Sequence, residues 1–455
     1  MASLSFLERY EMAADARPPF DPDLFVNHDQ ALREIEQRAQ ELVAAGADSG
    51  RFQRRLLRVK GAVGLGKSWL MCRAQEQIHE KVGGFLVYRL CLVDDAASLR
   101  LGQPWEKTFP AGPAAGALSP AGLTSETLKW LIRCTIEARG AEPRWLDQPA
   151  DLQALGARLK GELDATGRPC VLLVDGLDEL PPPPIPGEPG AVRLLADFWL
   201  IPLIRRRGVF VVLAARNPPA EAVQTDLYRP EISTYAYDID LRPFTQPDIE
   251  KQLELAATRE DVTRVPPKAA ERAAEILATG GGSPLANLRL ALMLDPTTAE
   301  WPDPKQVALE SVDGYLAGLP VDLRDCFFAV CVFREFDIWR LQESFVAYGI
   351  PGEDWQTYLG ATEVMRRLGD SRLVDMNHEQ RHYPVIQDPF WRVLNRALHV
   401  TDHERWQTLH TRAADLYGKW AEKNSRESQR WQSEAAYHRA CLDRDAVLPW
   451  DWSPT

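Results

Sequence analysis

A chain of 455 residues has room for about three domains, each with its own core. A formal charge of −12 and a pI near 5.3 argue against broad attraction to nucleic acid or anionic membrane, and 45% apolar with 26% charged residues is ordinary for a globular protein. No apolar run nears the ~18 residues that cross a bilayer, residues 1–10 lack a signal-peptide core, and seven scattered cysteines without a C-x-x-C pair suit free thiols, so a cytoplasmic protein is expected.

Residues 1–50 form a leading segment. Its Pro18-Pro19-Phe20-Asp21-Pro22 stretch is stiff and extended. A helix is predicted to Val43, because Leu32, Ile35, Ala39, Leu42 and Val43 fall on one face. Next, 56–60 reads as a strand, 68–80 as a helix and 85–92 as a buried strand, while 94–123, rich in Gly, Pro and Ala, reads as a loop excursion. Helical patterns return over 125–138 and 150–163, and strands over 170–175, 209–215 and 235–241. Short apolar strands alternating with helices imply an α/β fold with a parallel sheet covered on both faces. The prolines at 181–184, 186 and 189 stiffen a loop beside a strand end, a reading favoured over an SH3-type ligand.

Beyond 241, helices are predicted over 248–257, 267–279 and 285–294. From 321 the pattern becomes three helices (323–333, 337–348, 355–368) and two short strands (372–376, 381–386), the order of a winged helix. A last helical block covers 388–446. The expected divisions are a leading segment with an adenine-side helix (1–50), a nucleotide-binding domain (51–245), a helical domain (246–318), a winged helix (319–398) and a C-terminal helical segment (399–455). The basic runs 51–58 and 205–207 read as solvated faces or helix ends. So do His399, His403 and His410, for which no supporting carboxylate is evident in the sequence.

The chemistry concentrates at Gly61-Ala62-Val63-Gly64-Leu65-Gly66-Lys67-Ser68, followed by Trp69, a full match to the phosphate-binding pattern G-x-x-x-x-G-K-[ST]. Glycines let backbone amides approach phosphate, and the helix start adds positive partial charge. Lys67 is expected on the β- and γ-phosphates and the Ser68 hydroxyl on Mg2+. At the end of the strand 170–175, Asp175 is expected to hold Mg2+, with Asp178 or Glu179 polarising the attacking water. Arg216 follows a strand directly and can meet the γ-phosphate. The triphosphate is thus expected between two neighbouring strand ends.

Taken in order, these motifs resemble the STAND-class NTPases of the NACHT/NB-ARC type, the switch ATPases of immune receptors and bacterial antiviral sensors. Val174-Asp175-Gly176-Leu177-Asp178-Glu179-Leu180 is similar to the NACHT acidic strand, Arg216 to the sensor arginine and Gly282-Ser283-Pro284 to the Gly-x-Pro motif. The resemblance implies that Phe25 and Val26 lie over adenine, that Pro284 packs near it, and that Gln387 takes the place of a phosphate-contacting histidine. The chain departs from the family at Asn27-His28, where Gly-Arg is usual, at Ala214-Ala215 and at Gln387, which donates a hydrogen bond but carries no charge.

The resemblance implies ATP/ADP and Mg2+ as cofactors and slow, regulatory ATP hydrolysis. With fewer than 60 residues before the loop, it further implies a bare switch in defence or regulated oligomerisation, working with a separately encoded effector or sensor or as a homo-oligomer. Two other readings stand beside it: a DNA-binding regulator using the winged helix, and a constitutive ATPase motor or chaperone.

Overall fold

The computed structural model describes residues 20–45, 54–61, 64–82, 86–91, 106–108, 120–148, 150–165, 168–176, 189–206, 208–215, 226–259, 270–271, 274, 282–284, 287–288, 304–316, 319–350, 354–371, 373–375, 383–386, 390–423 and 427–448. They fall into two compact units, residues 1–61 with 66–242 and residues 62–65 with 243–455.

The first unit is built on a six-stranded parallel sheet. Its elements in chain order are α1 (Asp29–Ala45), β1 (Leu56–Lys60), α2 (Lys67–Val82), β2 (Leu86–Cys91), β3 (Glu106–Thr108), α3 (Pro120–Ala138), α4 (Leu152–Ala165) and β4 (Cys170–Asp175). A helix, α5, over Ala191–Leu195 continues through a π-helical turn, Ala196–Leu200, into Ile201–Ile204, and β5 (Val209–Ala215) and β6 (Ala236–Asp240) follow. The strand order is β3-β2-β4-β5-β1-β6. Leaving β1 the chain moves toward β2, and leaving β5 it moves the opposite way to β6. Right-handed crossovers therefore place helices on both faces. The reversal also opens a crevice at the carboxyl ends of β1 and β5, where ligands of such sheets bind. With the glycine-rich loop joining β1 to α2, this is the α/β fold of the P-loop NTPases.

The strands are apolar because both faces are covered: Val171 to Val174 and Val209 to Leu213 are fully buried. Three sequence expectations change here. The region 94–123 is not all loop, since β3 pairs parallel with β2 through Glu106, Lys107 and Thr108. The basic run at 51–58 is not a solvated face at Arg55 and Arg58, which are 8% and 5% exposed. Arg58 donates to Asp238 Oδ1 at 2.6 Å and to the Leu227 carbonyl at 2.9 Å, and lies 3.9 Å over the Tyr228 ring. Finally, β1 and β4 are not neighbours, because β5 lies between them.

The second unit contains α6 (Gln246–Ala257), α7 (Pro304–Leu316), α8 (Val321–Val330), α9 (Ile338–Tyr348) and α10 (Tyr358–Asp370). An antiparallel pair, β7 (Val374–Asp375) with β8 (Val385–Ile386), follows, then α11 (Phe390–Thr401), α12 (His403–Lys423) and α13 (Ser428–Arg444). Buried apolar residues from Val312 to Leu448 form one core, which absorbs Trp355, Trp391, Trp406 and Trp431. Thr245 and Asp248 close a reciprocal capping box on α6, and Asp337 caps α9 by accepting from the Arg340 amide at 2.8 Å. Among the described residues no helix is long and apolar enough to cross a membrane.

Candidate nucleotide site

The loop between β1 and α2 has the backbone that its sequence demands. Gly64 and Gly66 sit at φ of 81° and 82°, a region that L side chains avoid. Their freedom lets the chain turn and deliver Lys67, Ser68 and Trp69 to the first turn of α2, whose first intrahelical bond runs from the Leu70 amide to the Gly66 carbonyl at 2.9 Å. Lys67 Nζ donates to the Gly61 carbonyl at 2.7 Å, so the lysine folds over the loop it would use. Gly61 and Leu65 are buried, while Gly64, Gly66, Lys67, Ser68 and Trp69 are half-buried.

Asp175 is the last residue of β4 and is half-buried. Its Oδ1 accepts from the Gly176 amide at 3.0 Å, and Gly176, at φ 80°, turns the chain away immediately after. Hydroxyl and carboxylate oxygens are the hard donors that Mg2+ takes, so Ser68 and Asp175 fit that ion by chemistry. Ala62, Val63, Asp178, Glu179, Arg216 and Gln387 lie outside the described residues.

The leading segment is fastened to the first turn of α2. Phe20, 1% exposed, meets Trp69 edge-on with ring centroids 5.5 Å apart. Pro22–Leu24 forms a single 3-10 turn capped by the Asp21 side chain, after which Phe25 is half-buried and Val26 is buried. At the other end His28 lies against the loop: a Cβ built on Gly66 would be 3.7 Å from its Nε2. Sequence reading named Phe25 and Val26 here and passed over His28, whose only signal was a departure from the resembled motif.

In the second unit, the loop tip carries Gly64, whose carbonyl accepts from Ser283 Oγ at 3.5 Å. A Cβ on Gly64 would meet Tyr315 Oη at 2.9 Å. Pro284, named from the Gly-x-Pro resemblance, is buried next to Ser283.

His399 Nε2 and His403 Nε2 lie 3.2 and 3.3 Å from one oxygen of Asp445, the carboxylate that the sequence had not revealed. Arg396 donates to Nδ1 of His399 at 3.3 Å, however, and a guanidinium cannot accept. The proton of His399 therefore sits on Nε2 and points at Asp445, leaving no lone pair there for a metal. The set is a clasp between helix ends. His410, expected in solvent, is fully buried against His438. Burial also pushes the Cys170 thiol up to about 12, the mark of an inert core cysteine.

No family model matches the chain, and no curated protein matches it either. Among solved structures it is similar to a Walker-type ATPase of Pyrococcus abyssi, with 15% identity over 84% of this chain and 99% of the other at a TM-score of 0.47. It is also similar to the Aeropyrum pernix ORC2 protein in an ADPNP-ADP complex, at 13% identity over 85% and 96% with TM-score 0.43. Cdc6p of Pyrobaculum aerophilum follows at 14% identity, 85% and 97% coverage and TM-score 0.41. Likeness at this level carries no functional argument, which rests on the chain's own residues.

Proposed function

We propose that the chain binds ATP with Mg2+ on the loop between β1 and α2, hydrolyses it slowly, and works as a nucleotide-controlled switch of the STAND class, in defence or in regulated assembly with partner proteins. One observation carries this reading. A turn with two left-handed glycines presents a lysine and a serine on the first turn of a helix, in the crevice where the sheet reverses, two strands from a carboxylate-tipped strand end.

The chemistry follows from that arrangement. Loop amides and the start of α2 hold phosphate oxygens, and Lys67 exchanges the Gly61 carbonyl for the phosphate chain. Bound Mg2+ supplies charge neutralisation on the phosphates, with Ser68 and Asp175 as its protein ligands. Glu179 is assigned to orient water for in-line attack, and Arg216, the residue that follows β5 in the sequence, to meet the developing charge. A swing from mostly closed to mostly open needs about 5.5 kcal/mol of differential affinity, which several charge-assisted contacts to a γ-phosphate can supply.

DNA binding by α10 is the weaker alternative. Its two arginines are committed, Arg366 to Glu363 at 2.7 Å and Arg367 to Asp322 at 2.8 Å, while Tyr358 and Leu359 face solvent. The deciding experiment is nucleotide binding and turnover by the full chain. Lys67→Ala should abolish ATP binding, and Glu179→Gln should bind ATP but release phosphate at least about tenfold more slowly. If both variants hydrolyse ATP like the parent, the site is wrongly assigned.

A further inference from the structure

Four of the five most exposed large apolar side chains among the described residues lie on two neighbouring helices of the second unit. They are Trp339 and Val346 on α9 and Tyr358 and Leu359 at the start of α10, all between 64% and 81% exposed. Trp339, Glu343 and Val346 are spaced four and three residues apart, so they form one stripe along α9. Gln342 flanks that stripe, and its Nε2 donates to the carbonyls of Trp355 and Gln356 at 3.3 and 2.9 Å. Phe345, on the same side, meets Trp355 edge-on with ring centroids 5.3 Å apart. The turn that leads into α10 is therefore seated alongside the stripe, and Tyr358 and Leu359 extend the apolar surface from it.

A single exposed apolar residue is ordinary, but a tryptophan, a tyrosine and two aliphatic chains on one face are not, and aromatic side chains in such patches anchor protein partners. Charge selects among the partners. Arg340, the one basic residue of α9, is fully buried and pairs with Asp337 at 2.9 Å, so the exposed charge on the stripe is the carboxylate of Glu343. Arg366 and Arg367 of α10 are already neutralised by Glu363 and Asp322. A two-fold contact between copies through the centre of the stripe would set Glu343 against its own counterpart, in a chain of net charge −12. The same carboxylate disfavours nucleic acid and anionic membrane.

We infer that the face shared by α9 and α10 is a docking surface for an amphipathic helix of another protein. That helix sets apolar side chains on Trp339, Val346, Tyr358 and Leu359 and a lysine or arginine on Glu343. The face lies apart in sequence from the phosphate loop, so its occupancy can be read without nucleotide.

The experiment is equilibrium binding, by the full-length chain, of a labelled amphipathic peptide of about 18 residues with leucines on one helical face and lysines in and around it. A counterpart carries glutamate in place of each lysine. The basic peptide should bind the parent at least about tenfold more tightly than the acidic one. Trp339→Ser and Val346→Ser should each weaken it about tenfold, while Val321→Ser, a similarly exposed position beside the far end of α10, should leave it unchanged. Glu343→Lys should reverse the preference and favour the acidic peptide. All the substituted positions are exposed, so the variants should melt like the parent. If the serine variants bind the basic peptide as the parent does, or if Glu343→Lys leaves the preference unchanged, the face takes no such helix. A parent that sediments as a dimer and is dissociated by Trp339→Ser would overturn it as well, giving the face to a second copy.

Discussion

Nδ1 of His410 lies 3.0 Å from Nδ1 of His438, and both rings are fully buried in the core of the second unit. Only one of the facing nitrogens can carry a proton, so the pair is neutral and shares a single N–H. Burial, with the charge of His399 a smaller influence, lowers His410 to about 3. Burial also holds His438 well below its usual range, with His410 and Arg334 adding to the effect. Tyr437 faces His410, and Tyr417 stacks on His438.

This pair sets a pH dependence with a definite sign. An unfolded histidine titrates near 6.5, so the unfolded chain binds more protons than the folded one at any pH between there and the folded values. The contribution is complete above about pH 6.5 and is lost as pH falls, at up to about 1.4 kcal/mol per pH unit for each histidine. Urea unfolding of the second unit, followed by its tryptophans, should show the parent losing stability between pH 7 and 5 more steeply than a His410→Leu, His438→Phe double variant. Equal slopes would mean that the pair does not titrate with unfolding.

The same pair shows what the sequence could and could not disclose. The phosphate loop was legible because its glycines recur at a spacing that only a phosphate turn requires, and β4 and β5 because five and seven apolar residues in a row suit only a strand buried on both faces. His410 was not legible, since its partner lies 28 residues away on another helix. Arg58 looked solvated for the same reason: the carboxylate that neutralises it, Asp238, is 180 residues distant. The strand Glu106-Lys107-Thr108 has no apolar run because it is a three-residue edge. Strand order leaves no local mark at all, so the placing of β5 between β1 and β4 came only with the fold.

Gly282 offers a sharper test of backbone necessity. It sits at φ 64°, its carbonyl accepts from the Phe244 amide at 2.8 Å, and a Cβ there would lie 2.1 Å from the Phe244 carbonyl oxygen. Gly349, at the end of α9, has φ 80° but nothing within 4 Å of a built Cβ. Gly349→Ala should therefore cost about 1 kcal/mol, conformational strain alone. Gly282→Ala adds a backbone collision and should cost about 2–5 kcal/mol. Thermal melts of the two variants decide this. Similar losses would mean that the Phe244 segment simply moves aside.

Arg334, in the turn between α8 and α9, and Glu434 of α13 form an enclosed ion pair in the second unit. Nε and Nη2 of the arginine reach the two carboxylate oxygens at 3.0 and 2.9 Å, the side chains are 6% and 3% exposed, and the guanidinium lies 4.3 Å over the Tyr437 ring. The fork geometry satisfies both charges, but each was taken out of water to form it, so the net gain is small while the cost of breaking it is large. Arg334→Met or Glu434→Leu alone should destabilise the protein by about 3–5 kcal/mol, because each strands a buried charge. The double variant, with both charges gone and the volume kept, should recover most of that loss. Denaturant unfolding of the four proteins gives the coupling directly. Additive single losses would show that water reaches the surviving partner and that the pair is worth no more than one on the surface.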